Sequence, residues 1–409
     1  MRTPTHSALP DVALTPRLQS ILERMNDPLL DGDTAVSLPI ECYNSEEWFD
    51  FELRAIWDRE WLCLGHHSSI PNAGDYLSLD LNGDRFLMVR GADGEIRTMS
   101  GVCQHRGHLL GETSGNVKRF TCPYHGWAYD LEGTLVGAPD MEVKELRKSH
   151  CLPLLNMESW NGFIFVNLDG RAPPLAPRLK GFTEVLQNYR IGELQALPPE
   201  DFADNPWNWK WMQENGLEPY HTPVAHYGTH DVAPAHQSVF PDWSDDDDGA
   251  VYYTTRFIHI DGHFTKSQKC IFPILPKLDE TDRWRVVFGV VPPNLLIATL
   301  PDSAFFFLTL PSGANKIDLR VSYLFPQSTL DLPDFEQTYE RLVKDINAIN
   351  MEDITANISV HQGRQSRFAN RGRVAPLEVP MAQINHWFVR RFRAYAEELE
   401  RKARLAASG

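Results

Sequence analysis

Residues 103–127 read CQHRGHLLGETSGNVKRFTCPYHGW, in which a Cys-x-His pair is followed by a Cys-x-x-His pair. Cys103, His105, Cys122 and His125 therefore lie on two loops, separated by 16 residues (106–121), each offering one sulfur and one nitrogen. A two-iron, two-sulfide cluster uses such a set with both thiolates on one iron and both neutral imidazoles on the other, which raises its reduction potential above that of all-cysteine clusters. Zinc is the rival, because two cysteines and two histidines are also a zinc set, but structural zinc sites draw both cysteines from one hairpin and both histidines from a helix. The mixed pairing points to iron and sulfide. Gly107 and Gly126 follow the histidines where the backbone must bend tightly, and Pro123 stiffens the second loop. His66, His67, His108 and His150 have no thiolate paired with them and read as structural.

Outward from these loops, residues 44–169 are short apolar runs cut by turns, among them GDYLSLDLNGDRFLMVRG and GFIFVNLDG. The Asn-Gly-Asp and Asp-Gly-Glu turns tolerate positive φ and predict hairpins, so this segment is expected to be a small all-β domain. Residues 1–43 mix polar and proline-containing stretches with one amphipathic helix, PRLQSILERM, and read as an arm packed on something larger. After the proline-rich joint DGRAPPLAP, residues 170–409 alternate strand-like and helix-like segments, as one α+β domain would. Strands are expected in GAVYYTTRFIHIDG, RWRVVFGVVPPNLLIATLP, AFFFLTLP and KIDLRVSYLFP, and helices in PDFEQTYERLVKDINAINMEDITANISVHQG and AQINHWFVRRFRAYAEELERKARLA. The tract Asp245 to Asp248 reads as an acidic, solvated loop rather than a cation site.

The chain has 409 residues, 42% of them hydrophobic, and a formal charge of -16. That charge argues against non-specific attraction to nucleic acid or to an anionic membrane, both of which need a basic surface. No run of 18 apolar residues appears, and MRTPTHSALP lacks the apolar stretch of an export signal, so a soluble cytoplasmic protein is expected. Six scattered cysteines are too few for a disulfide scaffold, which fits a reducing compartment.

A second constellation lies in NWKWMQENGLEPYHTPVAH, residues 208–226, with His221 and His226 downstream of Glu214 and Glu218. On a regular helix the two histidines would point about 140° apart, too far to share a metal. Pro223 lies between them and is expected to break or bulge the helix, bringing the imidazoles together. Glu218, three residues before His221, either binds metal itself or orients the imidazole. Two histidines and one carboxylate form the facial set of non-haem iron(II), which leaves positions open for oxygen and substrate. The third ligand is expected from Asp353, on a helix anchored by Ile346, Ile349 and Ile354, with Glu352 as its neighbour and competitor. His230, His236, His259, His263, His361 and His386 read as structural, although His230 lies close enough to line a pocket.

With both constellations in place, the chain resembles the α subunit, the terminal oxygenase, of the Rieske non-haem iron oxygenases, which hydroxylate aromatic rings or demethylate amines. The resemblance runs from EWFDFELRAIWDREWLCLGHHSSIPNAGDYL through CQHRGH, CPYHGWAYDLEG and ENGLEPYH to MEDITANISVHQG. It implies an N-terminal Rieske all-β domain holding a [2Fe-2S] cluster on Cys103, His105, Cys122 and His125. A helix-grip catalytic domain, an antiparallel sheet with helices, would follow, holding mononuclear Fe(II) on His221, His226 and Asp353. It further implies that Glu218, where aspartate is common in the family, links His221 to the residue matching His125 in the next subunit of a homotrimer. Asn215 matches a polar residue near the iron, and Gly216 and Leu217 stand where a bulky aromatic often begins. The partners implied are O2, a small organic substrate and an NAD(P)H-dependent reductase.

Within this chemistry the expected reaction is hydroxylation of an aromatic compound or aromatic acid. The alternative is oxidation of a quaternary amine of the betaine type, for which Trp207, Trp209 and Trp211 offer a cation–π cage, although their alternation reads more simply as a strand or joint packing one face in the core. A non-enzymatic Rieske electron carrier would hold only the two cluster irons, and a zinc-stabilised interaction module would be colourless.

Overall fold

The computed structural model describes residues 9–81 and 83–408. The opening residues of MRTPTHSALP and Asn82 of the expected hairpin turn lie outside the described residues. Two compact units emerge, one of residues 58–173 and one of residues 9–57 with 174–408.

The first unit is a β structure. Ile96–Ser100, Asp84–Arg90, Asp75–Leu81 and Ser114–Asn116 form one antiparallel sheet in that order, and Leu62–His66, Phe163–Asn167 and Asn156–Trp160 form another. A third contains Phe120–Thr121, Ala128–Tyr129 and Leu135–Gly137. Leu87, Met99, Leu110, Phe120, Trp127, Tyr129 and Leu135 make one apolar cluster, and Cys103 and Cys122 belong to it. The two cysteines are thus set into the core of the unit rather than hung on its surface.

The second unit is an antiparallel sheet covered by helices. Its strands run in the order Gln195–Ala196, Lys316–Phe325, Ala304–Gly313, Leu295–Thr299, Arg285–Val291, Val251–Arg256, Ser238–Val239, with Glu200–Asn205 also paired to Lys316–Phe325. These strands are rich in β-branched and aromatic residues, and Leu295–Thr299 is buried throughout. Helix Trp209–Gly216 packs against Arg285–Val291 and Ala304–Gly313, and the long helices Phe335–Arg364 and Val379–Ser408 pack on it in turn. An all-β unit and a sheet-and-helix unit make the α+β architecture expected, and the two long helices lie where their sequence periodicity put them.

Residues 44–57 differ from expectation, because they pack with the second unit rather than with the β domain. Ser45 caps helix Glu46–Glu52 by accepting from the Trp48 amide at 3.3 Å. Trp48 and Phe51 pack against Phe392 and Tyr395 of the C-terminal helix, with centroids 5.0 and 5.2 Å apart. Glu52, fully buried, accepts from Trp48 Nε1 at 2.8 Å and Trp209 Nε1 at 3.0 Å and pairs with the equally buried Lys210. Burial raises the Glu52 pKa against the pull of Lys210. A carboxylate that recruits partners so distant in sequence leaves no local signal.

Two smaller expectations are also corrected. Asp248 of the acidic tract is buried, with Arg178 and Arg391 each at 2.7 Å, so that end of the loop is an internal ion pair and not a solvated run. Trp209 and Trp211 lie on a helix rather than a strand, and Trp207, Trp209 and Trp211 are all buried in the core.

Trp211 stacks on Tyr43 at 4.1 Å, and the Tyr43 hydroxyl donates to Glu214 Oε1 at 2.6 Å. Burial pushes the Glu214 carboxyl up to about 7, opposed by Tyr43 and the Arg364 charge.

Two predictions follow from these buried groups. Lys210→Met leaves the Glu52 carboxylate without its cation and is expected to lower stability by about 3–5 kcal/mol in urea unfolding. For Glu214, the native value lies above that of an unfolded glutamate, so the native state holds a proton that the unfolded chain releases. The associated stability is fully present below the unfolded value and is lost as pH rises through about 7. Glu214→Gln is therefore expected to raise the melting temperature more at pH 8 than at pH 5; equal effects at both would refute the assignment.

Candidate metal centre and its cavity

In the second unit, Glu218 follows helix Trp209–Gly216, and a one-turn helix, Thr222–Ala225, separates the two histidines. The expected break at Pro223 is overturned. His221 is the residue before the helix, Pro223 sits in its first turn, and His226 follows its last residue. An amide missing from a first helical turn leaves no hydrogen bond unmade, so proline starts this helix instead of interrupting it. His226 then leaves helical geometry at φ -109° and ψ 31°, and the two imidazoles meet edge to face with Nε2 atoms 3.2 Å apart.

Asp353 reaches the same point from helix Phe335–Arg364. Its Oδ1 lies 3.4 Å from His221 Nε2 and 3.0 Å from His226 Nε2, and all three candidate ligand atoms lie within 4.8 Å of one another. Behind each imidazole stands a carboxylate. Glu218 Oε1 is 2.6 Å from His221 Nδ1, and Glu352 Oε2 is 2.7 Å from His226 Nδ1. Glu218 also accepts from the His221 backbone amide at 3.0 Å, and Thr229 Oγ1 lies 3.2 Å from Glu352 Oε2. Asn215 Nδ2 donates to Asp353 Oδ1 at 3.1 Å.

This arrangement fits a divalent cation. With each Nδ1–H held by a carboxylate, both Nε2 atoms present lone pairs to one another and to an anionic oxygen, which is repulsive unless a cation or protons lie between them. Burial pulls the His221 pKa down, but Asp353 and Glu218 outweigh it and push it up to about 10, while the same imidazoles hold Asp353 well below the usual carboxylate range. Glu218 stands behind His221, and Glu352 stands in the same way behind His226 while Asp353 faces inward.

A cavity opens on these atoms. Its wall is mostly apolar, including Phe264, Phe288, Phe305, Phe307, Leu296 and Ile349, with Asn215, His230, Asn350 and Asn357 as polar interruptions. His230 lies flat on Phe264 at 4.1 Å and 7°, in the pocket-lining place its sequence position suggested. None of Trp207, Trp209 and Trp211 lines this cavity; they pack in the core, as the simpler reading of their alternation has it, and the alternative cation–π cage is not formed there. A Cβ on Gly216 would meet Leu296 Cδ1 at 2.2 Å, so a side chain there would require the end of Leu296 to move. The aromatic wall comes from separate strands and from the loop that carries Phe264, and no one stretch of sequence announces it.

In the first unit the two cysteine loops repeat one hydrogen-bond pattern. The Cys103 carbonyl accepts from Gly107 and its amide donates to the His108 carbonyl, both at 2.9 Å. The Cys122 carbonyl accepts from Gly126 at 2.9 Å, and its amide donates to the Trp127 carbonyl at 2.7 Å. Gly107 and Gly126 take φ of +76° and +73°, in the left-handed region where a side chain would strain the turn. His105 and His125 face each other with centroids 4.5 Å apart, and His105 stacks flat on Trp127. The Tyr129 hydroxyl lies 3.5 Å from Cys103 Sγ and accepts from the Gln104 amide at 3.0 Å. His105 Nδ1 is buried with no hydrogen-bond partner, an orphan that a cluster iron would satisfy. Two buried sulfurs, two facing imidazoles and that orphan fit a [2Fe-2S] group.

Comparison with known proteins recognises both domains. Residues 60–151 match the Rieske [2Fe-2S] domain, and residues 196–394 match the catalytic domain of ring-hydroxylating α subunits. The carnitine monooxygenase oxygenase subunit of Acinetobacter baumannii is 29% identical over 377 residues, covering 87% of this chain and 93% of that protein. A solved quaternary ammonium Rieske monooxygenase superposes with a TM-score of 0.76 at 24% identity, over 90% of this chain and 98% of its own. Naphthalene 1,2-dioxygenase from Rhodococcus superposes at 0.77 with 22% identity, over 93% and 99%. These likenesses extend through both domains, so the electron carrier with a mere docking scaffold and the zinc module are set aside. By its two domains in this order the chain belongs to the Rieske non-haem iron oxygenases, as an α subunit that uses a [2Fe-2S] cluster, mononuclear iron, O2 and reductase-supplied electrons.

Proposed function

We propose that this terminal oxygenase hydroxylates a neutral aromatic compound, with His221, His226 and Asp353 holding the mononuclear iron and Cys103, His105, Cys122 and His125 holding the cluster. The observation that carries the substrate class is the cavity wall. It is mostly aromatic and aliphatic, its polar interruptions are neutral side chains such as Asn215, Asn350 and Asn357, and no lysine or arginine is among its described residues. A carboxylate on an aromatic acid would lose its hydration there without gaining a counter-ion.

Held by His221, His226 and Asp353, iron(II) would supply O2 activation, with the cluster as the source of electrons. Glu218 and Glu352 keep the Nδ1 protons of His221 and His226 in place, which leaves each Nε2 free as a donor. Asp353 supplies the anionic ligand, and Asn215 fixes its carboxylate. The apolar wall excludes water and strengthens every charge interaction inside. In this reading Glu218 would also bridge His221 to His125 of a neighbouring subunit in a homotrimer, and the protein described as a quaternary ammonium Rieske monooxygenase, with inter-subunit electron transfer, is a precedent for a path between subunits. No described helix is long and apolar enough to cross a membrane, and all six cysteines are free, as suits a cytoplasmic enzyme served by an NAD(P)H-dependent reductase.

A second reading, oxidation of a quaternary amine, draws on the carnitine-oxidising relatives and on the aromatic rings of the cavity, which could face a cation. It lacks a basic side chain for the carboxylate that carnitine and betaine carry. Single-turnover product analysis with a surrogate reductase separates the two. Neutral arenes are expected to yield hydroxylated products, whereas turnover of carnitine or betaine with arenes inert would replace the first reading by the second.

The ligand assignment has its own test. Wild type is expected to carry two cluster irons and one mononuclear iron per chain. Asp353→Ala should lose the third while keeping the visible spectrum of the cluster. Glu352→Gln should keep it with affinity lowered about 10–100-fold. Loss of the mononuclear iron in Glu352→Gln but not in Asp353→Ala would exchange their roles.

A further inference from the structure

The long helix Phe335–Arg364 presents more than the iron ligand to the cavity. Asn357 lies four residues after Asp353, about 6 Å further along the helix axis on nearly the same face. Both line the cavity. Asn357 is 4% exposed, and its Nδ2 is buried with no hydrogen-bond partner. The other asparagines of the wall differ. Asn215 Nδ2 is taken by Asp353 and Asn350 Nδ2 by Asn347 Oδ1, at 3.1 and 3.3 Å.

A buried amide N–H without an acceptor is unfavourable, and most such groups in folded proteins are paired. Leucine would occupy similar space in this wall without that penalty. A donor kept unpaired beside a binding cavity, one helical turn from the reacting metal's ligand, is accounted for if the ligand brings the acceptor. His230 Nδ1 is also buried and unpartnered, but its ring lies on Phe264 and either tautomer is open to it, so it specifies no acceptor.

Resting on the aromatic substrate reading above, we propose that Asn357 is a specificity-determining residue whose Nδ2 donates a hydrogen bond to a neutral acceptor oxygen, such as the carbonyl of an aryl ketone, borne by the aromatic substrate. The ring then lies among the phenylalanines, and the oxygen at Asn357 sets which ring carbons are turned toward His221, His226 and Asp353. A purely hydrocarbon ring would leave the amide unpaired and bind with less orientational preference.

Binding tests this without turnover. Dissociation constants for acetophenone and ethylbenzene, two ligands of nearly equal shape, are measured by calorimetry on the anaerobic, iron-loaded protein and on Asn357→Leu. The expected result is that Asn357→Leu weakens acetophenone binding about tenfold and leaves ethylbenzene unchanged or tighter. Because the amide nitrogen has no partner in the ligand-free protein, the melting temperature of the variant should hold or rise. Asn357→Ala, which also removes the donor, should show the same loss of preference should leucine crowd the site. An unchanged ratio of the two constants in both variants overturns the proposal, as does failure of wild type to bind acetophenone. Absence of hydroxylated arene in the product assay, with the binding preference intact, would instead count against the reaction proposed above, so the two failures are told apart.

Discussion

Three electron-rich atoms, two imidazole nitrogens and one carboxylate oxygen, are held at a single point, and their mutual repulsion is the constraint that the catalytic unit is built to withstand. Glu218 and Glu352 anchor the far sides of the two rings, so neither imidazole can turn away. The one-turn helix sets the spacing of the histidines, and the long helix brings Asp353 against them. Each of these groups is placed by a different element, and the affinity for a cation comes from their being fixed before it arrives.

Holding such a point requires a rigid surround. The helix leading into it, Trp209–Gly216, is clasped by the sheet on one side and by the long helices on another, and Lys210 within it is tied to the N-terminal segment through Glu52. A buried ion pair of this kind is weak support for net stability, but breaking it is costly. Here it joins helix Glu46–Glu52 to helix Trp209–Gly216. The same helix carries Glu214 and Asn215, so the framework and the site share a backbone.

The cluster domain solves a different problem with repetition. Two loops of unlike sequence adopt one hydrogen-bond scheme around Cys103 and Cys122, each closed by a left-handed glycine four residues on. Placing the sulfurs in the apolar cluster of the domain raises the Cys103 thiol pKa by burial, so the thiolate form depends on a bound cation. Trp127 and Tyr129 then fix His105 and the backbone beside Cys103.

Much of this was legible in the chain itself. The four cluster residues, His221, His226, Asp353 and the two long helices could be placed because each rests on local spacing, on periodicity or on a run of residues close in sequence. The fold class followed from where short apolar runs give way to longer periodic ones. What only the tertiary structure decided are the pairings across long sequence separations. Glu52 with Lys210, Tyr43 with Glu214, Glu352 behind His226, and Asp248 between Arg178 and Arg391 join residues from different elements. Even the local effect of Pro223 depended on where the helix began, because proline ends a helix from its interior and starts one from its first turn. The aromatic cavity and the unpaired amide of Asn357 within it arise only when strands and helix are brought together. Sequence carries the donor atoms and their spacing; which of them face one another is set by packing, since burial and distance are properties of the folded chain.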